Sequence, residues 1–271
     1  MSKTQEKHIR VRIDSTNPGQ FFACCGLLEL ADRLWGGAEA WFEPGAFITR
    51  PLADKNASPT DLCLGDLLNA IASASLHQVD PDDDTASPII LGTPFNLRLD
   101  WWADERAGGK RLKVWAGSMR CARIARAMQA VLQRPELQDE AMLDHAVIVY
   151  DTLVAEKKVE PFYFDARRGS NALSLDVGFS TDKLNLKTAA YPAVEFLCLV
   201  GLQRHRPMAT TAPRVFEYYT WSVPMEARLA PSAVCGLLAQ FGKRGFRFEN
   251  AFRSDQRKHK AFTPATPFER S

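Results

Sequence analysis

Between Ile9 and Trp35 the chain passes from alternating to helical spacing with almost no polar residue in the join, and few folds can hold such a segment. Ile9, Val11 and Ile13 fall on one side of a period-two run and Arg10 and Arg12 on the other, the pattern of a half-buried strand. Asn17 is placed to cap a helix, because its side-chain oxygen can take an unpaired first-turn amide, and Pro18 suits the first helical position. From Phe21 to Leu28 nearly every residue is apolar, and a polar side emerges only with Glu29, Asp32 and Arg33. The first two turns are therefore expected to be buried all round. Gly36-Gly37 supplies the permissive backbone that ends the helix.

A chain of 271 residues has room for a helix enclosed in this way, in one large domain or in two of about 130 residues. With 46% apolar and 24% charged residues it has an ordinary globular composition, and a net charge of +2 is too small to imply polyanion binding by itself. Any basic surface must be local. The cysteines at 24, 25, 63, 121, 198 and 235 lie mostly in apolar runs and suggest no disulfide framework. The N-terminal residues show no secretory signal pattern, and the apolar runs at 21–28 and 196–202 are short of the ~20 residues that span a bilayer. The expected location is cytoplasmic, with no membrane partner.

Further along, Ala38–Phe42 and Ala46–Arg50 flank Glu43-Pro44-Gly45 as a hairpin, and leucines 62, 64, 67 and 68 with Ile71 mark a helix within 61–76. The loop from Gln78 to Pro88 gathers four aspartates but lacks the glycine and distal glutamate of a calcium loop, so it reads as solvated. Phe95–Trp102 and Lys110–Trp115 read as a hairpin, followed by a helix from Met119 to Leu132. Residues 136–145 suggest a short helix. Phe162–Asp165 and Leu173–Val177 suggest another hairpin, with Arg167 and Arg168 at its tip. At 191–203 the opening logic returns, since Pro192, Phe196 and Cys198 share the spacing of Pro18, Phe22 and Cys24. Strands are expected at 214–223 and 245–248, a short helix between them, and a basic tail from Asn250 that is mobile when unbound.

Catalytic signatures are missing: there is no phosphate loop, dinucleotide glycine fingerprint, His-Glu-x-x-His or pair of C-x-x-C motifs. Cys24 and Cys25 lie near a helix start that could activate a thiol, but their apolar neighbours argue for burial. The five histidines are scattered singly. The positive signal is the placement of basic residues. Lys110, Arg111 and Lys113 crowd one strand, Arg120, Arg123 and Arg126 recur on the next helix, and Ser118 at its start adds a site for an anion. Arg167 with Arg168, and Lys243 with Arg244 and Arg247, make two further clusters. Such groups hold phosphates through charge-assisted bonds, and Trp101, Trp102 and Trp115 nearby could stack on bases.

Several ordered segments carry a family resemblance: residues 17–32 (NPGQFFACCGLLELAD), 99–102 (LDWW), 113–117 (KVWAG), 164–169 (FDARRG) and 191–195 (YPAVE). Across roughly 17–206 the chain resembles the compact subunits of type I CRISPR interference complexes, subtype I-G, formerly I-U. The resemblance implies a noncatalytic subunit at the large-subunit position of a Cascade-like ribonucleoprotein. Such a subunit contacts guide RNA and target DNA, tests the protospacer-adjacent motif, neighbours other Cascade subunits and presents DNA to a nuclease-helicase. It supplies no catalytic residues and no cofactor or metal. Guide pairing reads most of the target in such an assembly, which leaves protein to hold backbones and a few base edges.

The resulting expectation is an α+β fold of two ferredoxin-like halves with β-hairpins, the second a diverged copy of the first. Residues 1–158 would form the half with the basic hairpin and arginine helix, 159–249 the second half, and 250–271 the tail. Rival readings are a metal-independent CRISPR RNA-processing endoribonuclease and a purely architectural subunit.

Overall fold

A computed structural model describes residues 8–52, 63–83, 85, 87–100, 112–115, 119–168, 189–242, 244–253 and 259–269. In order, these contain β1 (Ile9–Arg12), α1 (Pro18–Trp35), β2 (Ala38–Glu43), β3 (Ala46–Pro51), α2 (Leu64–Ser73), β4 (Leu76–Gln78), β5 (Ile89–Leu91), β6 (Leu97–Leu99) and α3 (Cys121–Val131). Then come α4 (Pro192–Arg204), β7 (Met208–Ala209), β8 (Val215–Tyr219), β9 (Met225–Glu226), α5 (Ala230–Val234), β10 (Arg244–Phe252), β11 (Lys260–Phe262) and β12 (Thr266–Glu269). Single 3-10 turns occur at Pro135–Leu137, Met142–Asp144 and Ala166–Arg168.

The opening segment behaves as its residues require. Asn17 accepts from the amides of Gly19 (3.1 Å) and Gln20 (3.4 Å), Pro18 opens the helix, and Gly36 closes it in the left-handed region at φ 73°. β1 and β2 both pair antiparallel with β3, which lies between them, so α1 is the crossover of a split β-α-β unit. β9, from far along the chain, adds to the open edge of β2.

A second antiparallel sheet runs β11-β10-β8-β7, with β12 also on β10, and β4-β5-β6 forms a third. Helix α1 lies between the first two sheets. Phe21 stacks on Phe42 of β2 (5.1 Å) and on Tyr218 of β8 (4.4 Å), while Phe22 meets Tyr218 and Phe248 of β10. Trp221 completes this aromatic layer, donating Nε1–H to the carbonyl of Ala40 at 2.7 Å. That geometry explains why the first turns show no polar face.

Helix α4 is buried from Pro192 through Leu202 and lies directly on α1. A Cβ on Gly26 would sit 2.0 Å from the Leu197 carbonyl oxygen, and one on Gly201 2.0 Å from that of Phe22. Each glycine stands four residues beyond the carbonyl that its counterpart touches, so the contact is reciprocal. Past it, buried Glu29 pairs with Arg33 of its own helix (2.7 Å) and joins α4 through Arg204 (3.0 Å).

Several expectations are corrected by these pairings. The two expected halves share one hydrophobic cluster from Ile9 to Ala265, and β9 adds to the first sheet. The hairpin of 95–102 with 110–115 is replaced, among the described residues, by β6 on β5 and by Lys113–Trp115 lying beside β11. Segment 162–165 is not a strand, its expected partner at 173–177 lies outside the described residues, and 136–145 holds two 3-10 turns. Much of the expected mobile tail is structured, because β10 continues to Phe252 and residues 260–262 and 266–269 pair with it. Alternating Phe248, Asn250 and Phe262 find buried places there.

Candidate functional site

The thiols and imidazoles form no catalytic pair among the described residues. Cys24, Cys25 and Cys198 are fully enclosed, and loss of hydration pushes each thiol well above its usual pKa. His205 is buried and held neutral, its pKa pushed down to about 3 by desolvation. Neither of its ring nitrogens meets a hydrogen-bond partner among the described residues. No group of three potential metal ligands occurs among those residues.

The expected arginine sites divide into internally bonded and outward groups. On α3, Arg126 donates to the carbonyl of Leu76 at 3.3 Å and Arg123 lies 3.7 Å from buried Asp151, while Arg120 occupies the N-cap position. Arg123 and Arg126 thus tie α3 to neighbouring segments. Arg247 is engaged by Glu217 (2.6 and 2.9 Å), and Arg244 lies over the Phe246 ring. Lys110, Arg111, Ser118 and Lys243, with Trp101 and Trp102, lie outside the described residues.

Arg167 is a clamp. Its guanidinium holds both oxygens of fully buried Asp165 (2.9 and 2.7 Å), Asp144 (2.9 Å) and the carbonyl of Leu143 (2.6 Å), and it lies 3.5 Å over the Tyr191 ring. Asp165 also accepts from Asn17, which in turn accepts from the Ala166 amide. Glu195 accepts from the amides of Phe164 and Asp165 (3.3 and 3.2 Å), and burial lifts its pKa to about 8. This network joins the starts of α1 and α4, and it uses the donors with which Arg167 would otherwise grip a phosphate.

Arg168 points elsewhere. Its Nε and Nη2 are buried and meet no partner among the described residues. It belongs to a neighbourhood assembled from four separate segments. The Phe262 amide bonds the Tyr163 carbonyl (3.2 Å), the Lys260 amide bonds Val114 (2.8 Å), and Asn250 donates to the Lys113 carbonyl (3.4 Å). The Arg253 amide bonds His259 (2.8 Å).

Cations here lie against rings. Arg253 is 3.5 Å over Tyr163, Lys113 is 5.4 Å over Trp115, and Arg214 (4.8 Å) and Lys260 (5.5 Å) approach Phe252. Among the described residues, Glu249 pairs with Arg214 and Glu160 accepts a hydrogen bond from the Tyr163 hydroxyl. Nε of Arg253 and Nε of Arg214 are, like the Arg168 nitrogens, buried without a partner among the described residues. Tyr163 (φ 68°) and Arg214 (φ 61°) both occupy the left-handed region, which bulky side chains resist and which tends to mark working parts of a structure.

What this arrangement concentrates is positive charge, with guanidinium nitrogens that meet no acceptor among the described residues. The sequence pointed to Lys113 and Arg168, placed Arg253 and Lys260 in a mobile tail, and missed Arg214. The one available signal was the repeated neighbouring of basic and aromatic residues from 214 to 262. For the tryptophans the sequence offers base stacking beside the more ordinary place in the core, and Trp115 takes the second, buried against Phe162 at 5.3 Å.

In comparisons with known proteins, no family model, curated protein or solved structure matched the chain.

Proposed function

We propose that this chain is a noncatalytic subunit of a CRISPR-guided surveillance complex in which the Lys113–Arg168–Arg253–Lys260 cluster contacts guide RNA or target DNA near the protospacer-adjacent motif. The observation that carries the reading is the set of guanidinium nitrogens, Nε and Nη2 of Arg168 and Nε of Arg214 and Arg253, that meet no acceptor among the described residues, where cations also outnumber carboxylates. Buried donors of this kind are costly unless an acceptor arrives, and nucleic-acid phosphates supply acceptors in series. The segments that resemble subtype I-G subunits include 113–117 and 164–169, whose described residues, Lys113–Trp115 and Phe164–Arg168, border the cluster.

In this reading the other Cascade subunits and a nuclease-helicase are protein partners, and the complex works in the cytoplasm. No described helix is long and apolar enough to cross a membrane. The shared spacing of Pro18, Phe22 and Cys24 with Pro192, Phe196 and Cys198, on two helices that pack directly together, supports descent of the two helix-centred, ferredoxin-like units from one duplicated unit, although Gly26 and Gly201 stand one position out of that register.

The test is ultraviolet crosslinking of the reconstituted complex to labelled guide and duplex target. Adducts are expected with the native chain and lost with Arg168→Glu/Arg253→Glu at unchanged assembly. An architectural subunit, a reading favoured by the inward pairing of Arg123, Arg126 and Arg167, would give no adduct with either nucleic acid.

A further inference from the structure

We infer that the loop between Val149 and Val159 is a docking knob whose Leu153 and Val154 enter an apolar pocket on a neighbouring protein subunit; this rests on the reading of the chain as one subunit of an assembly. Hydrophobic logic is inverted in this loop. Leu153 is 64% exposed and Val154 42%, while Asp151 at the base is only 8% exposed. A loop with no partner to meet would hide the leucine and wet the carboxylate.

The inversion is held by specific bonds. The Val159 amide bonds the Val149 carbonyl (3.0 Å) and the Asp151 amide that of Lys157 (2.7 Å), which closes the loop at its neck. Asp151 Oδ1 accepts from the Leu153 amide at 2.8 Å, its Oδ2 lies 3.7 Å from Arg123 of α3, and the Lys157 amide turns back to the Val154 carbonyl (3.3 Å). Glu156 makes the return in the left-handed region, at φ 57°. A tip fixed in this way loses little further freedom on binding. Arg123, expected from sequence to hold phosphate, is instead the strut beneath the knob.

Charge selects the kind of partner. From Tyr150 to Lys158, Asp151 and Glu156 balance Lys157 and Lys158, so the knob is drawn neither to phosphates nor to an anionic membrane. Burying what Leu153 and Val154 expose is worth roughly 10- to 100-fold in an association constant. That is too weak to recruit a free protein or to hold a membrane alone, and enough to seat a subunit that other contacts already bring close.

The experiment titrates the fluorescein-labelled full-length chain with the remaining subunits and guide RNA assembled without it, and reads anisotropy. Leu153→Ser/Val154→Ser changes positions already open to water, so it should keep the native unfolding midpoint and bind roughly 10-fold or more weakly. In the native chain, amide exchange at 152–156 should slow on assembly. Unchanged affinity of the double variant, or unchanged exchange, overturns the knob and leaves the subunit reading standing. Failure of the native chain to bind the assembly overturns both. A variant that assembles normally but loses duplex target, or a native chain that binds phosphatidylglycerol vesicles through these two residues, overturns the protein pocket in favour of DNA or lipid.

Discussion

Replacing Gly26 with alanine tests the architecture at its tightest point. The added methyl carbon would lie 2.0 Å from the Leu197 carbonyl oxygen and 2.9 Å from its carbon. Both obstacles are backbone, so no side chain can swing aside. To reach even 3.0 Å the helices must part by about 1 Å, and overpacking of this kind costs about 3 kcal/mol where neighbours cannot yield. Here they are held, since Phe21 and Phe22 are wedged between two sheets. Alanine returns about 1 kcal/mol through its better helix propensity. The net loss is about 2 kcal/mol, which for a urea dependence of about 3 kcal/mol/M lowers the unfolding midpoint by about 0.7 M. Gly201→Ala should do the same. Because one separation of the helices relieves both clashes, the double variant should lose clearly less than the two single losses added together. Gly65→Ala, whose methyl meets mainly the movable Gln138 Oε1 at 2.9 Å, serves as the mild control. A neutral or stabilised Gly26→Ala, or strict additivity, would refute the close reciprocal contact.

The polar network yields two more expectations. Glu195 has its folded pKa raised by burial to about 8 from a usual 4.5, so the folded state binds the extra proton between those values and its stability should fall as pH rises across that window. Glu195→Gln, compared with the native chain in urea unfolding at pH 5 and pH 8, should flatten this decline; an unchanged slope would assign the pH dependence elsewhere. Asn17→Ala removes a helix cap and a buried link to Asp165 and Ala166, and should cost about 2 kcal/mol in the same assay, with a loss under about 0.5 kcal/mol counting against the network. Arg123→Ala strips buried Asp151 of its cation and should lower stability by about 2 kcal/mol while leaving oligonucleotide anisotropy unchanged; the reverse result would make α3 the contact surface.

What could be read from sequence was local. Asn17, Pro18 and Gly36 each act within a turn of their own position, and the hairpin around Gly45 closes by φ 72° at that glycine. Pairing across long distances was hidden. Nothing in the period-two run at Lys113–Trp115 states that its neighbour is Lys260, and nothing in Phe162–Asp165 states that its amides go to Glu195 instead of a strand. The site shared this limit. Arg167 and Arg168 are adjacent and of one type, yet Asp165 and Asp144 capture the first and leave the second to the cluster. Those carboxylates are recognisable as partners only once the chain has folded.

The contact between α1 and α4 also has a consequence in time. Gly26 and Gly201 are roughly 175 residues apart, so at synthesis rates of about 5–20 residues per second α1 waits roughly 10–35 s for the surface that covers it. During that interval its apolar turns lack α4, β8 and β10, and the first sheet lacks β9. The ribosome-bound chain thus displays a sticky helix for most of its synthesis, which makes it a natural client for chaperones that grip apolar segments until the last sheet is complete.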